Sequence, residues 1–402
     1  MEQLKTDILI VGGGVAGLSA TTAFAVAGFE TLCVDPVPPI VDQNADGADL
    51  RSTAFLLPSV DLLKQSGLWQ RLEKYAAPLR IMRIVDSGGE DHGIREQANF
   101  DAHDIDQPAF GYNLPNWLLR REMVAHVNEL TNASLLSPLK VTRITPRSDE
   151  VLVNLSDGRL LRTKLVVAAD GRNSLIREQL GIDIKSWRYG QKALVFNVKC
   201  ALPHQNVSTE IHRSGGPFTL VPLPDLDGKH YSAVVWMETG PKADDLLKMD
   251  GAAFNDTLNK RSCGVLGDLK LASKRLLWPI IAQRAARLNG PRTALLAEAA
   301  HVIPPIGAQG LNMSLADLSA LVNLTVEARD AGKDFGGTEV LNTYNRTRWP
   351  DMAARIKGVD VLNRAAMAKS QNLRDLRRAG LKTLYGIAPL RKAVMKAGLG
   401  AK

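Results

Sequence analysis

The sequence predicts an α/β fold in three parts: an open parallel sheet flanked by helices, a mixed and mainly antiparallel second sheet, and a basic helical C-terminal region. Three observations predict it. An apolar run at residues 8–11 passes directly into Gly12-Gly13-Gly14 and then into small apolar residues at 16–27, while a second run at 30–34 ends on Asp35. Short alternating runs crowd residues 191–236. From Arg355 to Lys402, twelve Lys and Arg residues stand against two acids, Asp360 and Asp375.

A chain of 402 residues is longer than one ordinary core accommodates, so two closely packed units are expected. Its 45% hydrophobic and 23% charged residues exclude a disordered or fibrous chain. The formal charge of +8 resides in the C-terminal region, and the rest of the chain is slightly acidic. Such a tail suits an anionic membrane or an acidic partner. Nucleic acid is disfavoured, because stacking aromatics are sparse there. Cys33, Cys200 and Cys263 are far apart and the histidines are scattered, so reduced thiols and no metal site are expected. No basic leader precedes the first strand, and no apolar run reaches the roughly 18 residues of a membrane span. A cytoplasmic protein is expected, its tail able to meet the inner face of the membrane.

The first element is a strand at 8–11, apolar at every position as a parallel strand buried on both faces must be. Gly12, Gly14 and Gly17 complete G-x-G-x-x-G. Gly12 permits the tight turn, Gly14 leaves room for a diphosphate, and Gly17 lets the following helix sit close on the sheet. The helix N-terminus adds free N–H donors. Asp35 stands where an acid would accept hydrogen bonds from a ribose. Strand, turn, helix and acid together predict a dinucleotide site.

A Pro- and Asp-rich loop follows to Asp49, and Arg51-Ser52-Thr53 opens a predicted helix at 54–66. On spacing alone Arg51 reads as a surface charge. Residues 79–86 alternate as a strand, and the acidic, irregular stretch 86–106 reads as an excursion or lid. A helix at 117–130 carries Arg120 and Arg121. Runs at 140–146, 151–156 and 159–164 read as an antiparallel meander, with a hairpin turn at Ser156-Asp157-Gly158. A separate buried strand at 165–169 ends in Asp170-Gly171, with Ser174 and Arg177 opening a helix.

The second sheet is expected from strands at 193–200, 208–211, 218–222 and 231–237. Residues 242–272 read as helical and 277–287 as a strand pair. A run at 293–296 returns to the first sheet. It leads into Ala300-His301 and the Pro/Gly-rich loop 304–310, which opens a helix at 311–329. That loop is a second source of free N–H donors. His301 reads as a lock on the loop ahead of Pro304. In the tail, Ile356, Val359, Leu362 and Ala366 follow helical spacing, and Leu373, Leu376, Leu384 and Leu390 extend the apolar face. A membrane-surface helix and a capping helix pair both fit this pattern.

In this set and order the three motifs resemble the class A FAD-dependent monooxygenases of the aromatic-hydroxylase type, and within them the ubiquinone-biosynthesis hydroxylases. The motifs are Gly12-x-Gly14-x-x-Gly17 with Asp35, Asp170-Gly171 with Ser174 and Arg177, and Ala300-His301 through Gly310-Leu311-Asn312-Met313-Ser314-Leu315 to Asp317. Subfamily likeness lies in Gly216 to Leu223, Val235-Trp236, Tyr344 and Arg348. The resemblance implies a Rossmann-like FAD-binding unit at 1–78, 107–181 and 285–335. It also implies a substrate unit at 79–106 and 182–284 and a basic helical region at 336–402.

By matching position, Gly12, Gly14, Val15 and Gly17 would lie against the FAD pyrophosphate and Asp35 against the adenosine ribose. Arg51 and Arg120 would also reach FAD, which reverses the spacing-only reading of Arg51. Val141 would meet adenine, Asp170 would serve FAD and the passing NAD(P)H, and Gly310, Leu311 and Asn312 would cradle the isoalloxazine. One departure is visible. The family has Gly-Asp where this chain has Ala297-Glu298; Glu298 keeps the carboxylate and Ala297 adds a Cβ.

The implied reaction is ring hydroxylation of a polyprenyl phenol in ubiquinone synthesis. NAD(P)H reduces FAD, and O2 adds to give a C4a-hydroperoxide whose terminal OH goes to the ring. No general base is nominated. Phe196, Phe218, Leu220, Val221, Leu223, Val235 and Trp236 wall a pocket or fill an ordinary core; Phe218, Pro222 and Pro304 are the expected substrate residues, the first two nearest the ring. A flavin-dependent prenyl-lipid reductase and a flavin-poor scaffold of the quinone pathway are the alternatives.

Overall fold

The computed structural model describes residues 3–399, so Lys402 of the basic tail lies outside them. Strand Gln3–Val11 is central to an eight-stranded sheet. It pairs in parallel with Thr31–Val34 on one side and Leu160–Ala168 on the other. Thr293–Leu295 and Ala133–Leu136 extend the parallel order outward. Helices Val15–Val26, Asn116–Glu129 and Gln309–Asp330 cover it, leaving Ile8, Leu9 and Ile10 wholly buried. Burial on both faces explains the unbroken apolar run.

Leu160–Ala168 is one strand, not a meander strand followed by a separate one. No Gly or Pro interrupts it, so its start pairs antiparallel with Val151–Leu155 while its whole length runs parallel to Gln3–Val11.

The second sheet has nine strands, ordered from His301–Val302 through Leu276–Ala285, Ile184–Cys200, Lys229–Thr239, Pro217–Leu226 and Val207–His212 to Ile81–Asp86 and Glu96–Asp101, with Leu269–Leu271 beside Ile184–Cys200. All pairs are antiparallel except Val207–His212 with Ile81–Asp86. A small sheet of Ser52–Leu56, Gly111–Pro115 and Ala77–Leu79 links the two.

Several expected elements differ. The helix expected at 54–66 is strand Ser52–Leu56 followed by helix Leu57–Gln65. Pro58 lies in the helix's first turn, where its missing N–H forfeits no intrahelical bond and its fixed φ suits a helix start, so the helix begins here rather than at 54. The stretch expected as an excursion contains edge strand Glu96–Asp101, and the strand pair expected at 277–287 is the single strand Leu276–Ala285. Between them, residues 240–271 hold helices Gly240–Lys248 and Gly251–Ser262 and strand Leu269–Leu271.

The long helix Thr338–Ala366 does not stand apart. Its Val340, Leu341, Tyr344, Met352 and Ile356 belong to the core of the first sheet. Helices Gln371–Gly386 and Ala388–Leu399 dock on the outer edge of the second sheet, where Leu381, Leu384, Met395 and Leu399 meet Phe100, Ile105 and Phe110. Asp86, 2% exposed, accepts from Arg95 at 2.7 Å and from Arg377 of the tail at 2.8 Å. The expected apolar stripe is thus divided: Leu384 is covered, while Leu373, Leu376 and Leu390 stay exposed. Among the described residues no helix is long and apolar enough to cross a membrane.

Candidate active site

Three adjacent parallel strands end side by side. Val11 leads into the glycine turn, Ala168 into Asp170-Gly171 and Leu295 into Ala297-Glu298, with Val11 paired to Ala168 and Ala168 to Leu295. Stretches distant in sequence therefore meet at the C-terminal edge of the sheet, where open α/β sheets bind ligands. A groove of about 370 Å³ runs along this edge and joins a cleft of about 640 Å³ between the two sheets; Gly14, Ala169 and Gly171 border both.

The glycines of the turn differ in what they face. Gly12 is left-handed (φ +109°), and a Cβ there would meet the Ala169 carbonyl oxygen at 2.3 Å. A Cβ on Gly17 would meet the Gly12 oxygen at 1.8 Å. Gly14 is bare for another reason: a Cβ there would have nothing within 4 Å. Its open side faces the groove, beside the N-terminus of helix Val15–Val26, which carries no side-chain cap. Asp35 borders the same groove. Its Oδ2 accepts from Gly13 N and its Oδ1 from Val37 N, so it braces the turn as well. Val141 lines the groove opposite.

Asp170 Oδ2 accepts from Ile176 N at 3.2 Å, whereas its buried Oδ1 has no partner. Burial pushes this carboxyl above its ordinary value, although hydrogen bonds from Ser174 and the backbone oppose the rise. Arg177 donates to the Ala299 carbonyl and to the Arg172 carbonyl, each at 3.0 Å, and so ties the second motif to the third.

Arg51 is not a free surface charge. It forms a bidentate pair with Asp49, both bonds 2.7 Å, and lies 4.8 Å over the Trp278 ring on the cleft wall. Arg120 reaches within 3.9 Å of the same carboxylate, and its buried Nε is unpartnered. Burial opposes charge on Asp49, but hydrogen bonds from Arg51 and Asn116 and the two positive charges outweigh it and hold the carboxyl below its usual value. Sequence reasoning missed Asp49, because Arg120 and Asn116 join it only through the fold.

In the third motif, Ala297 and Ala308 are both left-handed (φ +55°), a conformation that suits glycine. Glu298 is half exposed, 3.6 Å from Arg172, and borders the cleft. Helix Gln309–Asp330 starts after Ala308 and presents the N–H groups of Gly310 and Leu311. The Asn312 side chain donates to Ala54 O and Ala308 O and accepts from Leu56 N, which sews the helix start to the linking sheet. His301 locks the loop as expected. Its Nε2 is 3.1 Å from Asp317, which also accepts from Arg348 at 2.7 Å, all three shielded from solvent.

Of the three expected substrate residues, Pro304 borders the cleft. Phe218 does not: it is fully buried on the opposite face of its strand, edge-on to Trp236 with centroids 5.4 Å apart. Pro222 is off the cleft lining as well; its carbonyl accepts from Nδ2 of Asn113, a lining residue, at 2.8 Å. Phe196, Leu220, Leu223 and Trp236 also lie off the cleft, whose wall is built by Ala193, Val195, Val221, Ala233 and Val235.

The FAD-binding domain family matches residues 5–358 of this chain. The chain belongs to the FAD-dependent aromatic monooxygenases. It is 32% identical to ubiquinone hydroxylase UbiL of Rhodospirillum rubrum over 98% of this chain and 89% of that one. It is 27% identical to the 3-demethoxyubiquinol 3-hydroxylase of Escherichia coli over the whole of both. The crystal structure of p-nitrophenol 4-monooxygenase PnpA from Pseudomonas putida superposes with a TM-score of 0.79 over all of both chains at 18% identity, a likeness of fold. FAD is the cofactor of such a monooxygenase and NAD(P)H its electron donor. The groove fits the flavin nucleotide: bare Gly14 and an uncapped helix start suit a pyrophosphate, while Asp170 Oδ1 and Arg120 Nε are buried groups awaiting a partner.

Proposed function

We propose that this monooxygenase hydroxylates the aromatic ring of a polyprenyl phenol in ubiquinone biosynthesis. The observation that carries the reading is the continuity of the nucleotide groove with a cleft whose far wall is small and apolar. The names of the relatives, a ubiquinone hydroxylase and a 3-demethoxyubiquinol 3-hydroxylase, supply the substrate class. When bound, FAD would supply hydride acceptance from NAD(P)H and activation of O2 for transfer of one oxygen atom to an electron-rich ring.

The chain's own residues bind and orient. Gly12, Gly14, Val15 and Gly17 receive the pyrophosphate, with Arg51 and Arg120 as its counter-charges. Asp35 and Val141 hold the adenosine end. Asp170 would serve FAD and the passing NAD(P)H, Glu298 would meet the ribityl chain, and Gly310 and Leu311 would direct N–H groups at the flavin ring, stabilising negative charge there. Pro304 faces the substrate. The apolar wall keeps water from the reacting atoms.

The test is turnover of FAD-loaded protein with NAD(P)H, O2 and a short-chain prenyl phenol, with product mass as the readout. A product heavier by one oxygen atom is expected. NAD(P)H oxidation that yields only hydrogen peroxide with every phenol overturns the reading. Equal turnover without air would favour the reductase alternative, and colourless protein after reconstitution the scaffold.

The tail extends the proposal to an anionic membrane surface. Exposed Leu376, Ile387, Leu390 and Val394 stand among exposed Lys382, Lys392 and Lys396, a composition that supports binding in the lipid interface. Flotation with phosphatidylglycerol vesicles, but not with neutral ones, is the expected result.

A further inference from the structure

The cleft face of the second sheet is mostly apolar, with its polar side chains gathered on two neighbouring strands. Val207–His212 sets Ser208 and Glu210 on the cleft, next to Thr219 of the neighbouring strand, which pairs with Glu210 in register; His212 follows at the same parity, beyond the cleft lining. Apart from His301, bonded to Asp317, Glu210 is the single ionisable side chain that this sheet sets on the cleft among the described residues.

Glu210 Oε1 lies 2.7 Å from His212 Nε2; the two side chains are 18% and 14% exposed. No Lys or Arg pairs with Glu210 among the described residues. The far nitrogen of the ring, His212 Nδ1, is buried without a partner. Its neighbours are defined: Thr219 and Ile84 flank Glu210, and Pro217 and Asp86 flank His212, with Asp86 held by Arg95 and Arg377. A largely buried carboxylate with no Lys or Arg beside it costs stability that Thr or Val at the same position would not. Its position on a mostly apolar wall points to a ligand group.

Resting on the hydroxylase reading, we propose that Glu210, backed by His212, binds the ring hydroxyl of the substrate and takes its proton during oxygen transfer. The substrate O–H bond breaks, and its electron pair moves into the ring as the ring carbon forms its bond to oxygen. The proton passes to the Glu210–His212 pair. Loss of the C–H proton from the oxidised carbon restores aromaticity, and the oxygen is reprotonated, so a C–H bond has become C–OH. The oxidant is O2 with NAD(P)H, as the monooxygenase activity supplies: the O–O bond breaks as the C–O bond forms, one oxygen atom enters the ring and the other leaves as water. The substrate must therefore carry a free hydroxyl ortho or para to the carbon oxidised.

The test compares FAD-loaded wild type with Glu210→Gln on a short-chain prenyl phenol, following product formation from pH 7 to 10. The variant is expected to keep its flavin and lose about 10²-fold in kcat at pH 7. It should recover with rising pH as the phenol, whose pKa is about 10, ionises unaided. His212→Gln should lose less and show the same alkaline recovery. Should Glu210→Gln fail to fold, Glu210→Asp draws the carboxylate back by one methylene and should lose about tenfold, with the same recovery. Wild-type rates in these variants, or a loss that high pH does not restore, overturn the proposal. Absence of hydroxylated product from wild type instead overturns the hydroxylase reading and this proposal with it.

Discussion

The two faces of the second sheet come from the same strands and differ in almost everything else. One face carries Phe196, Phe218, Leu220 and Trp236, closed by helices Gly240–Lys248 and Gly251–Ser262 through Phe254 and Leu258. The other carries Ala193, Val195, Thr219, Val221, Ala233 and Val235 and borders the cleft. Large rings fill the covered side because dense packing rewards volume. Small side chains line the open side because volume there would exclude the ligand. A greasy pocket in this protein is recognised by the small residues left around a space, not by its aromatic content.

The sharpest break of that contrast is Trp236→Ala. On the covered face it should cost about 3–5 kcal/mol in denaturant unfolding. Val235→Ala, one residue along on the open face, should cost about 1 kcal/mol and appear mainly as a raised KM. Equal losses in the two variants would dissolve the distinction between the faces. The converse change is Val221→Trp. It should leave unfolding within about 1 kcal/mol of wild type, because a cleft rather than packed atoms receives the ring. Its hydroxylated product should fall at least about tenfold, a loss of about 1.4 kcal/mol in transition-state binding.

The outer end of the open face is closed by the tail, and this closure is expected to depend on pH. Burial opposes charge on Asp86, yet hydrogen bonds from Arg377 and Arg95 and their charge prevail and hold its carboxyl below the usual range. A depressed native value means the stabilisation is fully present above the unfolded value of about 3.9 and is lost as pH falls through the native one. Proteolysis between residues 366 and 371 should therefore quicken below about pH 4, and Asp86→Asn should quicken it at neutral pH by weakening the docking by about 1–3 kcal/mol. Cleavage that is indifferent to both changes would show that the apolar contacts of Met395 and Leu399 suffice. The smallest effect is expected at Ala297→Gly, which removes a Cβ from a left-handed residue and should stabilise the protein by about 0.5–1 kcal/mol, read as a raised Tm.

The legible parts of the site were those carried by local spacing. Gly12, Gly14 and Gly17 with Asp35 state their geometry within one strand–turn–helix unit, and His301 declared itself through the loop it closes. Phe218 misled because alternation shows that a strand has two faces but not which face a helix will cover. Around Ile184–Cys200 both faces bear apolar residues, so periodicity offered no choice. Glu210 was legible in part: Ser208, Glu210 and His212 share one parity, opposite Val207, Thr209 and Ile211, a polar row that a solvent-facing reading hides. Asp49 had no local signal at all.

By itself the sequence determined the parallel sheet, the nucleotide turn and the order of the three motifs, because φ/ψ demands, strand burial and helix starts act over a few residues. Only the tertiary structure decided that those motifs end on neighbouring strands, that Arg51 and Arg120 share Asp49, which side of the second sheet stays open, and how the tail's apolar residues divide between docking and solvent. These depend on which surfaces are brought together across long stretches of chain, and the free energy of burying a side chain is set by what packs on it rather than by its neighbours in sequence.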